Sequence, residues 1–200
     1  TCFEGAPYGA GKLSDYANQM RSWPGLISKK VNDHFCRWTP RDFKIFKNMK
    51  AGDKYPAAWA IAIKMWLQYK KKTGKNIAKD KFVPPYRLDN FPERWRKLDP
   101  NGLAWTLTAH LSKDTYTHIH YDSQQARTIT IREAARLQSF PDGFRFSGNM
   151  GDAFKQIGNA VPPLLAFELG LAVRKQLAKL NLGKTKHRTS SRSHPEMGLG

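Results

Sequence analysis

Two cysteines and six histidines are the side chains best suited to nucleophilic or metal chemistry. Cys2 and Cys36 do not form a Cys-x-x-Cys pair, so the sequence predicts neither a structural zinc site nor a disulfide framework, and both thiols are expected to be reduced inside a cell. His118 and His120 alternate as neighbours on one face of a strand would, but no further ligand lies at a useful spacing. No metal site is therefore predicted.

Two other stretches carry a denser pattern of functional side chains. Residues 130–142, Thr-Ile-Arg-Glu-Ala-Ala-Arg-Leu-Gln-Ser-Phe-Pro-Asp, begin with a capping box, in which the Thr130 hydroxyl accepts from the Glu133 amide and the Glu133 carboxylate reaches back. Residues 156–163, Gln-Ile-Gly-Asn-Ala-Val-Pro-Pro, combine a glycine, an amide side chain and two prolines. The first stretch predicts a helix that runs to residue 139 or 140, and the second predicts a turn before a helix that begins at Pro162 and Pro163.

In this order, the two stretches closely resemble the ninth and tenth sequence motifs of DNA cytosine-5 methyltransferases. Residues 106–114, Thr-Leu-Thr-Ala-His-Leu-Ser-Lys-Asp, resemble the segment that leads into the ninth motif. Residues 14–16, 32–34 and 52–54 are more loosely similar to the variable target-recognition region of the same enzymes. The resemblance covers most of residues 14–180 and is strongest over residues 105–165.

The resemblance implies a fold class and a reaction. The fold class is α/β: the C-terminal fragment of a Rossmann-like methyltransferase dependent on S-adenosylmethionine, with a small, irregular α+β target-recognition lobe. Such enzymes flip a cytosine out of duplex DNA, add a cysteine thiolate to C6 and transfer a methyl group from S-adenosylmethionine to C5. Double-stranded DNA and S-adenosylmethionine are the partner and cofactor implied, within a restriction-modification setting.

Several parts of the family pattern are missing from this sequence. The family nucleophile follows a proline, whereas Cys2 follows Thr1 and Cys36 follows Phe35, so no catalytic residue is assigned. Gly5, Gly9 and Gly11 do not follow an apolar strand, as a cofactor-binding glycine turn would. The chain is thus predicted to lack the nucleophile, to be inactive alone and to need a catalytic half in the same or a separate chain. The alternative is a stand-alone, non-catalytic DNA-binding module derived from this family.

The matched motifs also assign roles to particular residues. By resemblance, cofactor contacts are expected at Asn159, Ala160 and Val161, although Asn159 could instead cap the helix that follows. Glu133 is assigned to helix capping. DNA contacts are expected at Lys70, Lys71, Lys72, Thr108, His110, Arg127 and Arg132. Two alternatives stay open here: the lysine run could be a solvated helix end, and Arg127, Arg132 and Arg136 could form ion pairs inside the protein.

Periodicity and turn residues predict the elements that position these side chains. Thr39, Pro40 and Asp42 predict a helix over residues 40–50, and Pro56 opens a second helix to about residue 72, closed by Gly74. Residues 76–101 are interrupted by prolines and are expected to be irregular. Short strands are predicted at residues 105–108 and 116–121, and the last helix is expected to end at Gly183.

Charge and hydropathy limit the classes of partner expected for this chain. The chain carries 34 Lys and Arg against 16 Asp and Glu, a net charge of +18, which predicts a polyanionic partner. The surplus is concentrated in residues 1–100, with 21 basic against 9 acidic residues. No secretory signal is evident, and the apolar run at residues 57–67 contains Lys64 and is too short to span a bilayer, so no membrane partner is expected.

These patterns predict three regions. Residues 1–125 form the DNA target-recognition lobe, residues 126–182 return to the catalytic domain, and residues 183–200 form a basic, disordered tail. The expected location is the cytoplasm of a prokaryote, with a chromosomal or phage gene and association with the nucleoid.

Overall fold

Helices dominate the computed structural model, which describes residues 4–37, 39–90 and 92–189. A sheet of two short strands, β1 and β2, lies near the start of the chain. Single 3-10 turns occur at Lys79–Lys81, Ala109–Ser112 and Tyr116–His118. In chain order the main elements are β1 (Ala6–Pro7), α1 (Asp15–Arg21), β2 (Lys30–Val31), α2 (Pro40–Asn48), α3 (Tyr55–Thr73), α4 (Ile131–Leu137), α5 (Met150–Asn159) and α6 (Pro163–Thr189).

The helix ends follow the capping chemistry of the sequence. Helix α2 begins at Pro40 and α3 carries Pro56 in its first turn, and Gly74 closes α3 in the left-handed conformation at φ 65°. Both predicted helices are therefore confirmed to within two residues. Thr39 occupies the N-cap position of α2, but its side chain makes no capping hydrogen bond.

The predicted strands at residues 105–108 and 116–121 are wrong. The first is an exposed irregular segment, and the second begins as a 3-10 turn and then forms only isolated bridges, from Ile119 to Lys97 and to Thr128. Because β-prone residues form a strand only where a partner strand of matching length lies alongside, these single bridges do not extend into a sheet. The antiparallel pairing of β1 with β2, Ala6 opposite Val31, was not predicted.

Two hydrophobic cores organise the residues up to 160. The first lies between α2, α3 and the loop that carries Trp95, a fully buried ring packed edge-on against Phe46 at 5.4 Å between centroids. The second joins α4 and α5 with the segment before the 3-10 turn at Ala109–Ser112, and contains Leu107, Leu111, Phe154 and Ile157. The ninth- and tenth-motif segments thus share one core.

The chain divides into two compact units, Thr1–Ala160 and Val161–Gly200. Residues 126–160 lie in the first unit together with residues 1–125, and the functional division expected at residue 125 stays a prediction. Helix α6 begins at Pro163, as predicted, but continues past Gly183 to Thr189, which corrects the predicted helix end and the start of the disordered tail. The rest of that tail, residues 190–200, lies outside the described residues.

One stretch bears on the membrane expectation. By length and composition alone, Met150–Leu180 is long and apolar enough to cross a membrane, with a mean hydropathy of 1.2 in its most apolar window. Helices of water-soluble proteins pass the same test, although only 6% of this window is buried. The expectation of no membrane partner rests on residues 57–67 and stays a prediction.

Candidate DNA and cofactor interface

Helix α4 carries the ninth motif and begins with the predicted capping box. The Thr130 hydroxyl accepts from the Glu133 amide at 3.2 Å, and the Glu133 carboxylate accepts from the Thr130 amide at 2.8 Å. Arg127 donates two further hydrogen bonds to the same carboxylate, at 2.7 and 2.8 Å. Burial acts to raise the pKa of Glu133, but the Arg127 guanidinium and the Thr130 amide outweigh it and lower that pKa to about 2. Glu133 therefore caps α4 as predicted from the sequence, and its carboxylate is charged at neutral pH.

Arg132 lies on the inner face of α4 and is 1% exposed. Its guanidinium donates to the Asp33 carboxylate at 2.8 Å and to three backbone carbonyls, those of Asn32, Pro141 and Phe144. Because these bonds use the donors inside the protein, Arg132 is not available to a DNA phosphate. This geometry favours the alternative, an internal ion pair, over the DNA contact expected for Arg132.

Arg127 is also turned inward. It is 4% exposed and divides its donors between Glu133, Gln125 and the Thr128 carbonyl. For Arg127 too, the structure favours the internal ion pair over the expected phosphate contact. A buried guanidinium with a matched carboxylate has exchanged its hydration for fixed hydrogen bonds, and exposing Arg127 again would break its two bonds to Glu133.

A third motif arginine completes this internal network. Arg136 forms a two-point ion pair with Asp142 at 2.8 and 2.6 Å, and the Tyr8 hydroxyl donates to the same carboxylate at 2.6 Å. Burial opposes ionisation of Asp142, but Arg136 and Tyr8 lower its pKa overall. Burial and the bond to Asp142 raise the pKa of Tyr8 to about 12. Arg136 of the ninth motif is therefore linked through Asp142 to Tyr8, near the start of the chain.

The segment that leads into the ninth motif presents polar side chains to solvent. Thr108 and His110 are exposed, whereas Leu107 and Leu111 are buried in the second core. Because Leu107 and Leu111 pack in the core, they fix the backbone of this segment, and Thr108 and His110 project into solvent. Their expected role in DNA binding stays a prediction, and the structure leaves both side chains free to reach a ligand.

Gly158 of the tenth motif lies against that same segment. A Cβ atom at Gly158 would stand 2.3 Å from the Thr108 carbonyl oxygen and 2.6 Å from the Ala109 amide nitrogen. Only glycine allows this approach of α5 to the backbone at Thr108. The motif glycine therefore serves packing between the two motifs in the residues that the structure describes.

Gln138 provides a second tie between the motifs. Its side-chain amide donates to the carbonyls of Ile157 and Ala160, each at 3.3 Å. Gln138 lies within the ninth-motif stretch, but its contact with α5 could not be inferred from spacing, because a glutamine at a helix end has no characteristic pattern. Helix α5 was also missed, although Asn149 and Asp152 form a capping box at its start, a signal that the sequence does contain.

The three residues expected near the cofactor lie in sequence at the end of α5. Asn159 is the last residue of the helix and exposed, Ala160 is its C-cap and half-buried, and Val161 is 60% exposed. Asn159 is thus a C-terminal residue of one helix, which argues against the alternative that it caps the next. Its amide offers one donor group and one acceptor, so a polar ligand could bind there.

The lysine run, residues 70–72, lies in the last turn of α3. Lys71 and Lys72 are exposed, and the Lys70 ammonium lies 4.8 Å from the centre of the Trp66 ring. Positive charge in a last helical turn is favoured by the helix dipole without any ligand. Both the DNA role and the solvated helix end therefore fit this geometry.

The two alternating histidines serve the fold. His118 is buried and its Nε2 donates to the Trp105 carbonyl at 3.1 Å, while the Nδ1 of His120 accepts from the Asp122 amide at 3.1 Å. Burial lowers the pKa of each imidazole, which keeps both neutral. Among the described residues, no cluster of three His, Cys, Asp or Glu side chains could hold a metal ion.

Comparison with known proteins identifies the family to which these motifs belong. Residues 17–175 match the model of the C-5 cytosine-specific DNA methylases. The chain belongs to this family. Membership implies the S-adenosylmethionine-dependent methyltransferase fold for the complete family enzyme, and it places this cytosine-5 DNA methylase chain among proteins of DNA methylation.

Individual relatives include bacterial, archaeal and plant proteins. The chain is 47% identical over 156 residues to the protein named Putative type II methyltransferase M.OihORF3336P of Oceanobacillus iheyensis, an alignment that covers 74% of this chain and 34% of the relative. It is 28% identical to the DNA (cytosine-5-)-methyltransferase M.ApeKI of Aeropyrum pernix over 88% of this chain and 46% of the relative. DNA (cytosine-5)-methyltransferase 3 of Arabidopsis thaliana is 29% identical over 76% of this chain and 11% of its own length. The chain therefore spans less than half the length of these relatives.

Proposed function

We propose that this chain supplies DNA recognition and one wall of the cofactor pocket to a DNA cytosine-5 methyltransferase, and that the reactive cysteine comes from a catalytic half outside these 200 residues. The observation that supports this proposal most directly is the contact between the ninth-motif region and helix α5, which carries part of the tenth motif. Gly158 packs on the Thr108 backbone and Gln138 bonds to the end of α5, so the exposed Thr108 lies close in space to the last turn of α5. These contacts would thus hold the segment proposed to face DNA and the segment proposed to face the cofactor in fixed positions relative to each other.

The residues at the end of α5 suit the cofactor role. S-adenosylmethionine would supply the methyl group that is transferred to C5 of cytosine. Asn159 offers an exposed amide for hydrogen bonds to a polar ligand, and the apolar residues Ala160 and Val161 follow it in the sequence. In the proposed enzyme, these three residues bind and orient the cofactor, while the nucleophile acts from the other half.

The DNA contacts proposed are residues whose side chains reach solvent, four of them exposed and one, Lys70, half-buried beside Trp66. Thr108 and His110 would contact the duplex near the reactive centre, and Lys70, Lys71 and Lys72 would neutralise phosphates farther away. Arg127 and Arg132 have no part in this proposal. The bacterial cytoplasm, where the genome is accessible, is the proposed location.

Reconstitution tests the proposal. The part of the Oceanobacillus relative outside the matched region would be mixed with this chain, duplex DNA and methyl-labelled S-adenosylmethionine. We expect label in DNA only when both parts are present, and a large loss of transfer for Asn159→Ala. Asn48→Ala, an exposed residue of α2, is the matched control and should leave transfer unchanged. A correctly folded pair that transfers no label would refute the proposal.

The alternative function, a stand-alone DNA-binding module, predicts a different result. The isolated chain would bind duplex DNA with an affinity that falls steeply with salt, and the catalytic part of a relative would add no methyl transfer. The exposed lysines and the net charge of +18 favour DNA affinity under either function. Methyl transfer by the reconstituted pair is therefore the deciding measurement.

A further inference from the structure

Helix α5 ends where its own chain offers few amide donors. The last carbonyls of any helix lack partners within that helix. The Ala160 amide donates to the Ile157 carbonyl at 3.3 Å, but Pro162 and Pro163, which follow, carry no amide hydrogen. The end of α5 therefore depends on donors from another element.

Gln138 supplies such a donor from the end of α4. Its side-chain amide nitrogen lies 3.3 Å from the Ile157 carbonyl oxygen and 3.3 Å from that of Ala160. An amide nitrogen carries two hydrogens, one for each acceptor. Because Asn159 lies between Ile157 and Ala160 in the chain, a single side chain holds the backbone on both sides of Asn159.

The backbone of Gln138 is itself fixed by α4. Gln138 is the C-cap of that helix, and its backbone amide donates to the carbonyls of Ala134 and Ala135, each at 3.1 Å. The Phe140 amide also donates to the Ala135 carbonyl, at 2.8 Å, which closes the helix end. The side chain of Gln138 therefore extends from a fixed support.

Packing fixes the residues just before Asn159 as well. Ile157 is fully buried in the second core, and Gly158 lies directly against the Thr108 backbone. Asn159 follows them with an exposed side chain. Its backbone is thus held in one position before any ligand binds, and a group held in this way loses less entropy when a ligand binds to it.

We propose that Gln138 is a positioning residue for the cofactor contact at Asn159. Its two hydrogen bonds fix the last turn of α5, so that the Asn159 amide is presented in one orientation. This inference rests on the proposed function, because it takes Asn159 as a contact of S-adenosylmethionine. Gln138 acts only through the α5 backbone and contacts neither the cofactor nor DNA.

Hydrogen exchange in the isolated 200-residue chain tests the hydrogen bonds themselves. Gln138→Met keeps the length of the side chain but removes both donors, whereas Gln138→Lys restores a donor group that can reach the carbonyls. In mass spectrometry, amides of residues 157–161 should exchange about tenfold faster in Gln138→Met than in the unmodified chain. Gln138→Lys should restore slow exchange, and amides of α2 should exchange equally in all three chains.

Ligand binding tests the consequence for the cofactor site. S-adenosylhomocysteine, the product that remains after methyl transfer, would be titrated by calorimetry into this chain combined with the catalytic part of the Oceanobacillus relative. Gln138→Met should raise the dissociation constant about tenfold, and Gln138→Lys should recover most of the affinity. Affinity for duplex DNA should stay the same in both variants. Gln68→Met, a change at an exposed glutamine of α3, is the matched control and should alter neither affinity.

The outcomes distinguish this inference from the proposed function. Equal ligand affinity of Gln138→Met and the unmodified chain would reject the positioning role alone, as would unchanged hydrogen exchange. Equal losses in Gln138→Met and Gln138→Lys, or a parallel loss of DNA affinity, would also reject it, because the effect would then come from side-chain shape or general disruption. If the unmodified pair binds no S-adenosylhomocysteine, the proposed function fails and the positioning role fails with it.

Discussion

At the scale of single residues, the ninth motif shows how burial decides the role of an arginine. The sequence left two roles open for Arg127, Arg132 and Arg136, because a guanidinium can bind a phosphate or a carboxylate with the same geometry. Each of the three has a carboxylate partner in the structure: Glu133, Asp33 and Asp142. Sequence spacing suggests Glu133 and Asp142, which lie six residues from their partners, but Asp33 is 99 residues from Arg132 and only the fold brings them together.

Replacing Arg132 with methionine tests its internal role. The change keeps much of the side-chain volume but leaves the Asp33 carboxylate and three carbonyls without their donor, so we expect a loss of about 3 kcal/mol in the free energy of unfolding. Urea denaturation would measure it. Arg145→Met is the control, since Arg145 is 60% exposed and pairs with Glu4 at the surface, and it should change stability little. Unchanged stability of Arg132→Met would show that Arg132 is not a structural residue.

The low pKa of Glu133 predicts a pH dependence of stability. Its pKa falls from 4.5, the ordinary value, to about 2 in the folded chain. A depressed pKa stabilises the fold above the unfolded value, and this stabilisation, at most about 3 kcal/mol, is lost as the pH falls from about 5 towards 2. Glu133→Gln should therefore be less stable than the unmodified chain at neutral pH, and the difference should shrink in acid. A constant difference across this range, measured by urea unfolding at several pH values, would contradict the assignment.

At the scale of elements, local signals predicted α2, α3, α4 and the start of α6 but missed α1 and α5, and tertiary packing decided the rest. Prolines at the starts of α2 and α3, Gly74 at the end of α3 and the capping box of α4 each act within a few residues, so the sequence reveals them. The pattern at residues 105–108 alternates because Leu107 is anchored in a core, not because a neighbouring strand pairs with it. Similarly, the contact of Gly158 with Thr108 joins residues 50 positions apart and could not be inferred from spacing.

Gly158→Ala tests the packing between the two motif segments. The added methyl group would collide with the Thr108 carbonyl, and we expect a loss of about 1 to 3 kcal/mol as α5 shifts away. Gly170→Ala is the matched control, because a Cβ at Gly170 in α6 meets nothing within 4 Å and alanine favours helix. Thermal unfolding followed by circular dichroism would compare the two. Equal stability of both variants would mean that the approach of α5 to the lead-in segment is not tight.

At the scale of the whole molecule, α6 is the element whose surroundings the sequence predicts least. Its apolar positions recur at helical spacing, as a helix that packs on a larger body requires. In the described part of the helix, several of these residues are more than half exposed: Leu165, Leu169, Val173, Leu177 and Leu180. An uncovered stripe of this kind is unfavourable in water and promotes self-association. The proposed catalytic half is the surface that would cover it.

This exposure separates the two functions considered for the chain. We expect the isolated chain to self-associate in sedimentation velocity experiments, and the combined change Leu169→Glu, Val173→Lys and Leu177→Glu to shift it towards a monomer, because charge on the stripe opposes apolar contact between copies. The same variant should fail to reconstitute methyl transfer with a catalytic half. Glu168→Gln and Lys175→Gln, polar changes on the same helix, form the control and should preserve both behaviours. If the charged variant still supports transfer, α6 does not pack on the catalytic half, and a module that functions without that half becomes the better account.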